Sequence, residues 1–192
     1  MAKEALRDLS RASRGTEPTR DDCLLMGRAC ACFNLRKAAR AVTQLFDVYF
    51  DEVGLKATQV TVLAVLAYDV AEPTVTELAD RLVLEQSSLS RNLAVLERLR
   101  YVKLVAGDDR RERKVGLTRS GRCALTRAAP IWKRAQSALA GALEGGDLEL
   151  HLRSLRRITK TAQELRPPRT RERTKERTRD RVRTTSRRSR AA

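Results

Sequence analysis

The apolar positions of the chain change their spacing several times, and each change marks an element. Leu35, Ala38, Val42, Leu45, Phe46, Tyr49 and Val53 recur at intervals of three and four, which predicts one helix from about Asp22 to Glu52, ended by Gly54. A helix of roughly 30 residues is too long for one small domain to cover, so it is expected to pack on a second long helix or another subunit. The next run, "KATQVTVLAVLAYDV", is apolar on nearly every side, as in a short helix buried in a core. After Pro73, Thr74 and Glu77 stand at capping-box spacing and open a third helix, "TVTELADRL". The linker "VLEQ" leads to a fourth, "SSLSRNLAVLERLR", beginning near Gln86.

The pattern then shortens to that of strands. "YVKLVAGD" and "RKVGLT" flank a run of charges from Asp108 to Lys114 and predict a β-hairpin. Thr118 is placed to cap a long helix reaching about Leu143, which Pro130 should kink or locally unbond and Gly145 and Gly146 should end. A last helix, Asp147 to Leu165, sets Leu148, Leu152, Leu155, Ile158, Ala162 and Leu165 along one stripe before Pro167 and Pro168. The fold class is therefore mainly α with a small β-hairpin wing: a winged helix-turn-helix flanked by long dimerisation helices. Residues 1–20 form a flexible arm, 21–54 and 119–166 the helical dimerisation region, and 55–118 the winged lobe. Residues 167–192 are an Arg-rich tail, expected to be disordered because Val182 is its one strongly apolar residue.

Charge sharpens this picture. The chain carries a formal net charge of +16, and residues 166–192 hold 12 Lys/Arg against 3 Asp/Glu. Clustered cations gain affinity for polyanions by releasing counterions, although basic tails also serve as plain solubilising arms. No run of about 18 apolar residues exists to span a membrane. The N-terminus has no apolar core of the signal-peptide kind, so a cytoplasmic protein is expected. Four cysteines without a C-x-x-C pair, and the single histidine His151, give poor support for a structural zinc site. There is no resolving cysteine pair, catalytic histidine or cofactor loop, so neither an enzyme nor a bound cofactor is expected.

On the helix near Gln86, Leu89, Leu93, Leu96 and Arg100 lie on one side, while Ser87, Arg91, Ala94 and Arg98 lie opposite, flanked by Ser88 and Val95. Small hydroxyls and one arginine at an exposed N-terminal end suit the major groove, where arginine can bind guanine through two hydrogen bonds. An ordinary surface helix with serines near its start has the same pattern. The capped helix before it and the basic hairpin after it favour DNA.

The stretch "VTELADRLVLEQSSLSRNLAVLERLRYVKLVAGDDRRERKVGLTRSG" resembles the DNA-binding lobe of the MarR family, the multiple-antibiotic-resistance regulators of bacteria. Its most specific element is D-x-R followed six positions later by L-T: Asp109, Arg111, Leu117 and Thr118. The resemblance implies an obligate homodimer with first and last helices interleaved. It makes Arg111 a minor-groove contact and Asp109 a wing-shaping residue. Gln86, Ser87, Ser88, Ser90 and Arg91 become candidate major-groove residues, and Arg113, with Arg110 and Lys114, a phosphate contact or a solvated charge. It implies a sequence-specific regulator on a double-stranded DNA operator, a repressor released by a small-molecule inducer or an oxidant. The rival reading is a nonspecific or architectural nucleic-acid binder driven by the Arg-rich tail.

The segment "CACFNLRKAARAVTQLF" is similar to the organic-hydroperoxide-sensing branch of that family, in which a cysteine early in the first helix is oxidised; Cys32 stands at that interval before Gly54 and Leu55. Arg36 and Phe46 occupy the positions where that branch has tyrosines. On a continuous helix Cys30 and Cys32 point about 200° apart and cannot bridge, and both also read as small packing residues. Cys23 and Cys123 have no special context, and His151 reads as structural.

Overall fold

In a computed structural model, which describes residues 17–69, 71–107, 112–143 and 147–166, the first helix starts at Thr19. Its hydroxyl caps Asp22 N at 3.2 Å while the Asp22 carboxylate takes the Thr19 N–H at 2.8 Å. The expected single long helix is in fact two, α1 (Arg20–Ala29) and α2 (Ala31–Phe50), broken at Cys30. Cys30 takes an extended backbone (φ −68°, ψ 113°), and its Sγ accepts the Phe33 N–H at 3.5 Å. Asn34 Nδ2 reaches back to the carbonyls of Arg28 and Cys30 at 3.1 and 2.9 Å. Side chains thus supply partners for backbone groups that a helix end leaves open, and an apolar period cannot show that. The wheel that set Cys30 and Cys32 on opposite sides does not apply, because Cys30 is not helical.

After α2 a 3-10 turn, Asp51–Val53, ends at Gly54 with φ 67°, a left-handed conformation suited to glycine. α3 (Ala57–Tyr68) follows, its start fixed by Asp47 Oδ1 accepting from Ala57 N at 2.7 Å. α4 (Val75–Arg81) and α5 (Gln86–Arg98) pack on each other, and α5 packs on β1 (Val102–Ala106). β1 pairs antiparallel with β2 (Arg113–Leu117), in register from Val102 opposite Leu117 to Ala106 opposite Arg113. The sheet has one feature the sequence did not suggest. Thr74 bridges Lys114, and Val115 N donates to Pro73 O at 2.8 Å, so β2 is also paired on its other side.

α6 (Arg119–Ala142) is opened by Thr118, whose hydroxyl accepts from Gly121 N at 3.0 Å and donates to Arg100 O at 2.7 Å. Gly121 lies so close to Tyr101 that an added Cβ would overlap its carbonyl and stand 2.7 Å from Leu117 Cδ1. The helix continues through Pro130 as one element. Leu63, Leu78, Leu89, Leu93, Leu96, Val115, Ala124 and Ala128 form the core with Phe50, Leu55 and Val62, each at most 2% exposed. Arg134 ties the 3-10 turn after α2 to α6, binding both carboxylate oxygens of Glu52 at 2.9 and 2.8 Å, and its guanidinium lies 5.9 Å from the ring centre of Tyr49 in α2.

Contacts divide the chain at Leu139–Ala140 into two units. In the second, α7 (Leu148–Glu164) is capped by Asp147 through Leu150 N at 2.7 Å. None of its residues is buried, and Leu155 and Ile158, with Leu165 just after it, are exposed. The long tail, and the wing residues Asp109 and Arg111, lie outside the described residues.

Candidate nucleic-acid interface

The α4–turn–α5 unit owes its shape to local chemistry at each end. Glu77 closes the capping box on Thr74, accepting its N–H at 2.8 Å while Thr74 Oγ1 accepts from Glu77 N at 3.1 Å. The Thr74 backbone bond, then its hydroxyl, hold the Glu77 carboxyl below the usual carboxylate range. At the other end Leu84 N donates to Ala79 O (2.9 Å) and Val83 N to Asp80 O (3.1 Å). This is the paired-bond ending in which the residue past the helix turns left-handed. That residue is Val83, at φ 53°. A β-branched side chain is poorly suited there.

Val83 is 53% exposed, so Val83→Gly loses little burial and removes a strain of about 1–2 kcal/mol, partly offset by the extra entropy of glycine in the unfolded chain. A net gain of up to about 1 kcal/mol should appear as a higher midpoint in thermal unfolding. A lower midpoint would mean that the Val83 side chain contributes packing that outweighs its backbone.

α5 rolls its leucines inward and its polar residues out. Leu89, Leu93 and Leu96 are 0–2% exposed, while Gln86, Ser87, Ser88, Ser90 and Arg91 are all exposed. Arg100, expected on the leucine stripe, lies beyond the helix instead: it is exposed at φ 60°, and Tyr101 N donating to Leu96 O (2.9 Å) closes the turn. Arg91 Nη2 lies 3.4 Å from Ser88 Oγ, and no carboxylate among the described residues pairs with it. Its charge is available to a ligand. Arg113 is exposed at the start of β2, and with Thr74, Thr76, Gln86, Ser90 and Glu112 it borders a cleft of about 430 Å³ between α5 and the hairpin. The structure thus brings together five of the seven candidate DNA residues on α5 and sets Arg113 beside them. Arg111 and Asp109 lie outside the described residues.

Two features escaped the sequence reading. Thr76, on α4, accepts a hydrogen bond from Gln86 Nε2 at 2.9 Å, a contact between helices that no periodicity encodes. A second cleft, of about 460 Å³, opens between α2, α3 and α6 against Phe46, Phe50, Val60, Thr61, Val65 and Trp132. The exposed Trp132 inside the "APIWKRAQ" stretch was its one visible signal. Cys32, the candidate redox thiol, is exposed in the first turn of α2, and Cys30 is partly buried. No group of three or more metal-binding side chains occurs among the described residues, and no described helix is long and apolar enough to cross a membrane.

The same arrangement occurs in known proteins. A family model described as the MarR family matches residues 53–112. The solved structure of the M. tuberculosis transcriptional regulator MosR in complex with DNA is 34% identical, with a TM-score of 0.65, over 72% of this chain and 99% of that one. A second crystal structure of M. tuberculosis MosR gives 32% identity and a TM-score of 0.64 over 72% of this chain and 98% of that one. The S. aureus MepR–DNA complex, at 20% identity and a TM-score of 0.59 over 69% and 97%, shares the fold. No curated protein matches the chain.

Proposed function

The chain belongs to the MarR family, and from that footing we propose that it is a sequence-specific double-stranded DNA-binding transcriptional regulator acting as a homodimer. One observation carries the reading: α5 buries three leucines and turns Gln86, Ser87, Ser88, Ser90 and Arg91 outward beside a two-stranded wing. That is the side-chain set and placement a major groove accepts. Arg111 is assigned to the minor groove, Arg113 to a phosphate and Asp109 to a wing-structural role, the first and last of these lying outside the described residues.

A second copy covers what one chain leaves open. Phe33, Val42 and Val48 of α2 are 39–70% exposed in the first unit, and in the second Leu155 and Ile158 of α7 are exposed. The regulator represses by occupying its operator as this dimer. It lets go when a small molecule seated in the apolar cleft under Trp132, or an oxidant acting at Cys32, favours a geometry that does not fit two half-sites about one helical turn apart.

Deleting residues 167–192 separates this reading from a tail-driven architectural binder. Full-length and shortened chains should enrich the same sequence from a random duplex pool. The shortened chain should differ mainly in a shallower dependence of log K on log salt, by roughly one for each phosphate that the tail no longer neutralises. Loss of sequence preference on deletion would hand the function to the tail.

A further inference from the structure

Gln86 and Thr76 are both exposed, at the first position of α5 and the second of α4, joined by the 2.9 Å bond from Gln86 Nε2 to Thr76 Oγ1. Each partner is ambiguous by itself. A hydroxyl can give or take a hydrogen bond, and a carboxamide turned over presents oxygen where it had nitrogen. In the free protein the pair can therefore invert, with Thr76 donating to Gln86 Oε1. Something must break the tie if Gln86 is to read a base.

We infer that Thr76 is a positioning residue that commits Gln86 to adenine once DNA is bound, an inference that rests on α5 being the helix in the major groove. In helix-turn-helix docking the first helix crosses the phosphate backbone while the start of the second meets base edges. Thr76 is on that first helix. A phosphate oxygen only accepts, so it takes the hydrogen bond from the Thr76 O–H and leaves the hydroxyl only lone pairs for Gln86. Gln86 must then give one N–H to Thr76. Its other N–H and its Oε1 face outward together, one donor beside one acceptor. Adenine offers the matching pair, an N7 acceptor and an N6 donor, whereas guanine presents two acceptors, N7 and O6. The bonds are exchanged without any change of charge. One threonine thereby links backbone position to base choice.

The test uses the full chain. Sequences enriched from a random duplex pool are re-measured with each base pair changed singly, for the parent, Gln86→Ala, Thr76→Val and Thr76→Ser. The parent should prefer adenine over guanine by about ten-fold at one position per half-site, in line with a bidentate base contact. Gln86→Ala and Thr76→Val should both lose that preference at that position alone, and Thr76→Ser, which restores the hydroxyl, should recover it. The inference is overturned if Thr76→Val keeps the adenine preference, or weakens binding equally for every sequence. It also fails if the position lost in Gln86→Ala prefers another base. A pool that enriches nothing with the parent sinks the groove reading of α5, and the Thr76 assignment with it. Valine matches threonine in shape at an exposed site, and the serine variant separates loss of the hydroxyl from loss of the fold.

Discussion

Leu89→Ala should lower the unfolding free energy by about 2–5 kcal/mol, the range for truncating a fully buried leucine. Leu89 is 0% exposed and is the one buried residue in the first two turns of α5, among four exposed neighbours that face the proposed groove: Ser87, Ser88, Ser90 and Arg91. Its loss removes dispersion contacts and leaves a cavity under the end of the helix that must hold its place most closely. Urea denaturation of the purified protein measures the change, with Leu99→Ala, at a 40% exposed site, as a control of small effect. A loss for Leu89 below about 1 kcal/mol would mean that the first turn of α5 is not seated by that side chain.

Arg91→Ala should act on binding and leave folding alone. Arg91 is exposed and its hydrogen-bond partner is Ser88 at 3.4 Å, so its removal orphans no buried charge and stability should stay within about 0.5 kcal/mol of the parent. On the enriched sequence the variant should lose roughly 1–3 kcal/mol of binding free energy, and clearly less on random duplex. Equal losses on the two would place the guanidinium on a phosphate. Fluorescence titration at fixed salt decides it, since phosphate contacts change their weight with ionic strength.

The parts of this structure that were legible in the sequence are those set by neighbours along the chain. The Thr74–Glu77 box, the stop at Gly54, the cap by Thr118 and the buried face of α5 each follow from spacing alone, and each is where the pattern places it. The outward Ser87, Ser88 and Arg91 of α5 were readable for the same reason: a helix wheel that sinks three leucines must raise what stands opposite, whereas Gln86, three residues before Leu89, is exposed because it opens the helix. What could not be read depends on side chains folding back or on distant strands. The break at Cys30 rests on Asn34 bonding carbonyls behind it. Val83 and Arg100 turn left-handed with neither glycine nor asparagine to announce it. Both occur because bonds from Leu84 and Tyr101 close the preceding helix, and the side chain simply bears the cost. The Gln86–Thr76 bond and the Pro73–Val115 bond cross 10 and 42 residues, beyond any local period.

The pairing of Pro73 with β2 also bears on how such a cationic chain behaves when many copies crowd along one polyanion. An exposed strand edge is a template on which another chain can add a strand, and that invites runaway association. Here the outer side of β2 meets a proline, which has no N–H to offer, and the Pro73 carbonyl is already taken by Val115. At that point a neighbouring molecule finds no ladder to extend. Copies brought close by a shared nucleic acid can lie side by side there without zipping into a continuous sheet.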